Sequence, residues 1–312
     1  MKKHRKTIQN IATAAGMLLL LYQAWQAVEG FLVSGVRIDS PGLLLIALAL
    51  IVITIAQQMA AWSILMRGIG VRIPWAVVPR GYILSFLPRY IPGTVWGYLS
   101  RGEWLYQDFA TPYSVSNTGS LLEVLIAVLA NVIVISLFFL PLEGANIAVV
   151  IAGLLCLLLA IWFVFNKSMM LPFLSKIFSF QFPKTRLSLT GWFACLGMIT
   201  ANMLLYGLAL DLTLRAMNYG PASHNWLLLS ATFCVSWLIG FLVFILPSGL
   251  GLRELTLSSL LILNFGLTFE EASVVSVLFR LVVTLAEVLW IIFVGWKPLI
   301  SKLSRGQKLN PE

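Results

Sequence analysis

The sequence has little charge, cysteine or histidine, and each shortage excludes a class of protein. Charged residues are 11% of the 312, less than half of the roughly 25% usual in soluble globular domains. The three cysteines, Cys156, Cys195 and Cys234, are scattered in apolar stretches, so neither a disulfide framework nor a zinc site is expected. His4 and His224 form no ligand set. No nucleotide-binding motif is present, so we expect no cofactor and no ATP-driven step in this chain.

Hydrophobic residues are abundant instead, at 60% of the chain, and the mean hydropathy is +0.94. Several uncharged runs are long enough to cross a hydrocarbon core of about 30 Å, which takes roughly 20 helical residues. The pattern predicts an integral membrane protein with seven clear spans, namely 11–33, 41–66, 117–141, 145–166, 187–211, 226–247 and 270–296. The stretch 11–33 is too long for a signal peptide and is interpreted as a retained first span.

Lysine and arginine placement predicts the orientation of these spans. The segment before the first span, the stretch 165–190 and the C-terminal segment are basic and contain almost no acid, whereas the short connections 34–40, 141–144 and 211–224 are nearly balanced. The positive-inside rule therefore predicts a cytoplasmic N-terminus, with cytoplasmic tails at 1–10 and 298–312. We expect the membrane to be a bacterial or archaeal cytoplasmic membrane. The net charge of +9 suits a rim that faces anionic lipid and does not require nucleic acid.

Two short segments broken by proline and glycine stand between the apolar spans. Residues 86–101 and 245–254 each contain Leu-Pro, then two glycines, then an arginine. Broken backbone is tolerated at membrane depth only where protein buries it or where it lines a water-filled cavity. A pair of such segments at corresponding positions of two halves is the strongest sequence indication of a transporter-like binding site.

The number of crossings does not agree with the charge pattern unless a broken segment contributes. Seven crossings from a cytoplasmic start would leave the basic C-terminal segment outside. We therefore expect 76–106 to dip into the membrane and return, and 254–267 to complete a short crossing; a translocated tail is the alternative. The predicted fold is an all-α polytopic bundle of about seven to eight spans with two broken or re-entrant segments. It forms a single membrane domain over residues 1–312, with candidate half-repeats at 41–142 and 226–297.

The second broken segment carries a resemblance to a known family. Leu246-Pro247-Ser248-Gly249-Leu250-Gly251-Leu252-Arg253-Glu254, followed by Phe279-Arg280-Leu281, resembles the flippase-like transmembrane region of lysylphosphatidylglycerol synthases. In the first half, Pro92-Gly93, Gly97, Arg101 and Glu123 look similar. Val124 and Ala127 depart from the family pattern, as does Ser248 in place of a glycine. The resemblance implies a lipid translocase. The chain leaves no room for the soluble aminoacyl-transfer domain of the synthases, so we do not expect an enzyme.

Charged side chains inside the apolar segments are the candidate site. An ionisable group at membrane depth costs about 2.5 kcal/mol or more, so it usually faces a cavity and has a function. Arginine pairs bidentately with phosphate, and glycine breaks expose backbone N–H groups to an anion. The candidate substrate-binding residues are Arg89, Arg101, Glu123, Gly249, Gly251, Arg253, Glu254, Arg280 and Glu287.

Structural interpretations of the same residues remain open. Arg280 and Glu287 could form an intramembrane pair that only stabilises the fold. Glu123 could reach the membrane edge, and Arg89 and Arg101 could be interfacial anchors. The Arg253-Glu254 dipeptide could cap the helix that begins there.

Three functions are compatible with the sequence. The first is translocation of a lipid or lipid-linked glycan headgroup, with anionic phospholipids or polyprenyl-phosphate-linked substrates as partners. The second is a membrane-embedded transferase that uses a lipid-linked donor, although Asp39, Glu143 and Asp211 are sparse for outer catalytic carboxylates. The third is an ion-coupled transporter of a small anion. A homo-oligomer is compatible with all three.

Overall fold

The computed structural model describes residues 37–86, 88, 96–138, 188–219, 225–243, 249 and 251–294, with isolated positions at 25 and 153. The predicted spans 11–33 and 145–166 lie outside this part, as does Arg89. The described residues form eight helices and no strand: α1 Pro41–Gly68, α2 Val78–Ile83, α3 Trp96–Phe109, α4 Tyr113–Phe138, α5 Leu189–Ala216, α6 Trp226–Leu242, α7 Leu252–Phe265 and α8 Phe269–Val294.

Four of these helices are long and apolar enough to cross a membrane: α1, α4, α5 and α8. They coincide with the predicted spans 41–66, 117–141, 187–211 and 270–296, so the prediction of an all-α integral membrane protein is confirmed at this level. The predicted span 226–247 differs, because α6 has only 17 residues and ends at Leu242. Val243 leaves helical geometry with φ −88° and ψ 83°.

Local sequence signals set the helix ends. Pro41 opens α1, where a missing N–H costs nothing. The Asn225 side chain accepts the N–H groups of Leu227 and Leu228 at the start of α6. Thr268 and Glu271 exchange side-chain to backbone hydrogen bonds at the start of α8, as a capping box does.

Two units of the same shape occur in the described part. In the first, the 14-residue α3 is joined by residues 110–112 to the 26-residue α4. In the second, the 14-residue α7 is joined by residues 266–268 to the 26-residue α8. Both short helices are followed by a residue of positive φ, Ala110 at 49° and Gly266 at 67°, which reverses the chain after the last turn.

The long helices pack into a bundle with a buried core between them. α5 contacts α1, α4 and α6, and α8 contacts α1 and α7. Small residues allow the closest approaches: a Cβ on Gly207 of α5 would lie 1.9 Å from Ser230 Oγ of α6. The indole of Trp290 donates to the carbonyl of Val52 at 3.0 Å and joins α8 to α1. The short helices α2, α3 and α7 lie against this bundle.

Contacts near the helix ends show which ends are neighbours. The Asp39 N–H donates to the Ala216 carbonyl at 2.9 Å, so the start of α1 lies beside the end of α5. Burial and the nearby carboxylates of Glu271 and Asp39 raise the pKa of Tyr219, which places the start of α8 at this same end. We call this end A of the bundle. Gly119 of α4 packs against Met66, so the start of α4 lies beside the end of α1, at end B.

Candidate functional site

A cavity of about 200 Å³ lies among the helices. Residues from all eight helices line it. Among the described residues, six charged side chains line the cavity, and positive and negative charges are equal in number. They are the arginines Arg101, Arg253 and Arg280 and the glutamates Glu123, Glu254 and Glu287. The cavity is therefore charged but balanced.

Arg101 and Glu123 form the tighter of two ion pairs in this cavity. The Arg101 Nη2 atom lies 2.7 Å from Glu123 Oε2, and Nη1 lies 3.3 Å from Oε1. This bidentate geometry ties α3 to α4. The hydroxyl of Tyr82 on α2 also donates to Glu123 Oε1 at 3.3 Å, and it lies 3.4 Å from the side-chain oxygen of Gln58 on α1.

Aromatic rings surround the guanidinium of Arg101. Its Cζ atom lies 4.9 Å from the Tyr82 ring centroid, 5.0 Å from that of Tyr98 and 5.3 Å from that of Trp62. Arg101 is only 2% exposed, so its charge is offset by the carboxylate and by the ring faces in place of water. This position does not match an interfacial anchor, which would extend its guanidinium to solvent.

The second ion pair joins α7 to α8, and the charges have changed places. Here the short helix supplies the carboxylate, and Arg280 Nε of the long helix lies 3.7 Å from Glu254 Oε1. The other oxygen, Glu254 Oε2, accepts the N–H of Gly251 at 2.8 Å. Glu254 thus caps the first turn of α7 and contacts Arg280 with its remaining oxygen, so the capping and site interpretations of this residue both apply.

Arg253 and Glu287 complete the charged lining. The Arg253 guanidinium lies over the Trp237 ring of α6 at 5.4 Å, and its methylene stem packs against Gly240, where a Cβ would lie 2.2 Å from Arg253 Cγ. Glu287 is 9% exposed and stands seven residues after Arg280 on α8. Two helical turns separate these residues, so both face the cavity.

Gly251 differs from the expectation that the two predicted glycines expose backbone donors, and Gly249 is closely packed. Gly249 has φ +68°, and a Cβ there would lie 2.7 Å from the Gly240 carbonyl oxygen. Its open side is therefore filled by the backbone of α6. Gly251 has φ +85°, a conformation that favours glycine, and its N–H is already bonded to Glu254. The sequence pattern identified an unusual backbone, and the structure assigns it to close packing and capping.

Sequence reasoning missed the uncharged residues of the site. Gln58, Tyr82, Tyr206 and Trp237 line the cavity, and none was predicted. Gln58 had a usable signal, since the Gln57-Gln58 pair interrupts the apolar run of α1. The aromatic residues had none, because tyrosine and tryptophan are equally expected at a membrane interface.

Asp211, predicted from the sequence to lie in a connection, lies within α5 near its end. Asp211 is 2% exposed, and its Oδ2 atom accepts from Arg215 Nε at 2.8 Å. Among the described residues, no group of His, Cys, Asp and Glu has an arrangement that could hold a metal ion.

The described chain is thus a helical membrane-type protein with a charge-balanced cavity between its helices. No protein-family model and no curated protein matches this chain.

Proposed function

We propose that this chain is a translocase for the headgroup of a membrane lipid or lipid-linked glycan. The observation that supports it is the cavity: six ionisable side chains lie together at a bundle interior formed by apolar helices. Each such group is costly in hydrocarbon and is retained where a polar substrate or ion must pass. Arginines paired with glutamates can exchange partners with a charged headgroup without leaving an isolated charge.

The same proposal includes a topology in which both broken segments are re-entrant. α2 and α3 run antiparallel, since Ser100 Oγ donates to the Leu84 carbonyl at 2.9 Å and Gly81 packs against Trp104. Residues 110–112 then join α3 to the start of α4 at end B. The contacts therefore support a hairpin that enters from end B and returns there.

On the other side of the bundle, α6 and α7 support a second hairpin from the opposite face. Gly240, near the end of α6, packs against Gly249 and Arg253 at the start of α7, and residues 266–268 join α7 to the start of α8 at end A. This arrangement replaces the expected short crossing at 254–267. With the spans predicted at 11–33 and 145–166, it gives six crossings and returns the basic C-terminal segment to the cytoplasmic side, as the positive-inside rule requires.

Pseudo-symmetry of the two units belongs to this proposal. Two hairpins of opposite orientation that meet at a midplane site are the arrangement of inverted-repeat transporters. The equal helix lengths and the exchanged charges of the two ion pairs support it. The charge exchange also makes the two units chemically distinct, because the long helix carries the glutamate of one pair and the arginine of the other.

The direct test is reconstitution in vesicles with fluorescent phospholipids and polyprenyl-phosphate sugars. We expect movement of at least one lipid headgroup between leaflets, and its loss in the Arg280→Ala variant. Arg72→Ala is the matched control, because Arg72 is exposed and outside the cavity. Normal reconstitution without movement of any lipid in the panel would refute the proposal.

One observation favours a second candidate, an ion-coupled transporter of a small anion. A cavity of about 200 Å³ is smaller than the roughly 300–1,000 Å³ of pockets that enclose larger ligands. Uptake of radiolabelled inorganic phosphate into the same vesicles, without lipid movement, would favour this candidate.

A further inference from the structure

The two ion pairs of the cavity differ in how firmly their partners hold one another. Arg101 and Glu123 make two contacts of 2.7 and 3.3 Å, enclosed by three rings. The Arg280–Glu254 separation of 3.7 Å is longer than a hydrogen bond. The first pair therefore has the geometry of a scaffold between α3 and α4. The second pair lacks such a close contact, so a bound group separates its partners at a lower cost.

Around this looser pair, positive and negative side chains are equal in number. α7 contributes Arg253 and Glu254, and α8 contributes Arg280 and Glu287, and all four line the same cavity. Glu254 is held in place by the Gly251 N–H, and Arg253 by the Trp237 ring. The two charges on α7 are therefore fixed before any ligand binds.

We propose that these four residues bind a zwitterionic headgroup that carries a phosphate and an ammonium group, as phosphoethanolamine does. This inference rests on the proposed function and names its substrate class. A purely anionic headgroup would pair with the arginines but would stand beside two carboxylates in a site of low polarity. A zwitterion gives each arginine a phosphate oxygen and each carboxylate an ammonium proton, so every buried charge keeps a partner.

The shape and walls of the cavity fit such a headgroup. About 200 Å³ suits a small polar group and excludes an extended glycan. The planar guanidinium of arginine presents paired donors to phosphate oxygens. The ring of Phe279 also lines the cavity, and an aromatic ring face attracts an ammonium group that has lost its water.

The first test compares headgroups in reconstituted vesicles. Fluorescent phosphatidylethanolamine should move faster than phosphatidylglycerol by roughly tenfold, which corresponds to about 1.4 kcal/mol. Glu287→Gln should remove most of that preference by slowing the zwitterionic lipid alone. Glu270→Gln is the control, since Glu270 is an exposed carboxylate on the same helix. Two results would overturn the inference: equal or faster movement of phosphatidylglycerol by the wild type, or an equal slowing of both lipids by Glu287→Gln. Either result would leave the translocase proposal standing.

A second measurement keeps binding separate from transport. Soluble phosphoethanolamine should raise the melting temperature of the detergent-solubilised protein more than inorganic phosphate does. The Glu254→Gln variant should show no such difference, although its amide oxygen can still accept the Gly251 N–H. If phosphoethanolamine stabilises the protein but no lipid moves, the site assignment holds and the translocase proposal fails. Equal stabilisation by both compounds would refute the zwitterion site.

Discussion

Removal of Arg101 alone from the Arg101–Glu123 pair should destabilise the protein more than removal of both partners. In Arg101→Met, the carboxylate of Glu123 loses two contacts and stays in a site where its side chain is 18% exposed. Leaving a buried charge uncompensated costs about 3–5 kcal/mol. The lost ring contacts of the guanidinium add about 0.5–2 kcal/mol. A single substitution at this position thus removes a large share of the stability of a typical protein.

The partner variant, Glu123→Gln, should cost less. The amide oxygen of glutamine still accepts from Arg101, whose guanidinium keeps its three ring contacts. We expect a loss near that of one charged hydrogen bond, about 1.5–3 kcal/mol. In the double variant Arg101→Met, Glu123→Gln, no buried charge remains, and the loss should be smaller than for Arg101→Met alone.

A double-mutant cycle of unfolding free energies in mixed micelles measures this coupling. Glu103→Gln serves as the control, because Glu103 is exposed on the same helix α3. If the double variant loses as much as the two single variants added together, the pair is not coupled and the description of it as a buried scaffold is wrong. Lipid movement by the stable double variant would show in addition that this pair is not required for transport.

Two further predictions concern glycines, and one concerns topology. Gly249→Ala should lower the melting temperature well beyond Gly266→Ala, since both have φ near +67° but only Gly249 meets another backbone within 3 Å; equal losses would mean that backbone strain alone matters. Gly207→Ala should destabilise the α5–α6 contact. Gly197→Ala should instead stabilise α5 by about 0.5–1 kcal/mol, because a Cβ at Gly197 would meet no atom within 4 Å. A loss of stability in both variants would contradict the described packing. In a cysteine-free background, single cysteines at 266–268 should react with impermeant maleimide from the side opposite to the N-terminus, and reaction only from the N-terminal side would exclude the proposed hairpin at end A.

The sequence alone determined the class of this protein and most of its long helices. Uncharged runs of twenty or more residues have few alternatives to membrane helices, because an unpaired backbone group in hydrocarbon costs several kcal/mol. For the same reason, the predicted spans at 41–66 and 270–296 agree with α1 and α8 to within three residues at each end. Helix ends such as Pro41 and Gly266 are equally local signals.

The sequence also indicated which side chains to inspect. Charges within apolar segments are rare enough to be noticed singly, and the structure brings Arg101, Glu123, Arg280 and Glu287 to one cavity. It did not indicate how they pair. Arg280 and Glu287 share a helix face, which made a pair between them the obvious structural alternative, but that periodicity gave no indication that Arg280 contacts Glu254 on α7.

Only the tertiary structure decided the pairing, the aromatic enclosure and the purpose of the glycines. Arg101 and Tyr82 meet because α2 and α3 fold back on one another. Position 249 requires a glycine because the backbone of α6 fills the space that a side chain would occupy. Such contacts join residues of different helices, and their free energy depends on distance and burial, which helical periodicity does not encode. Hydrophobicity is a property of each segment by itself, so it can be summed along the chain, whereas the complementarity of a site exists only between segments after they have packed.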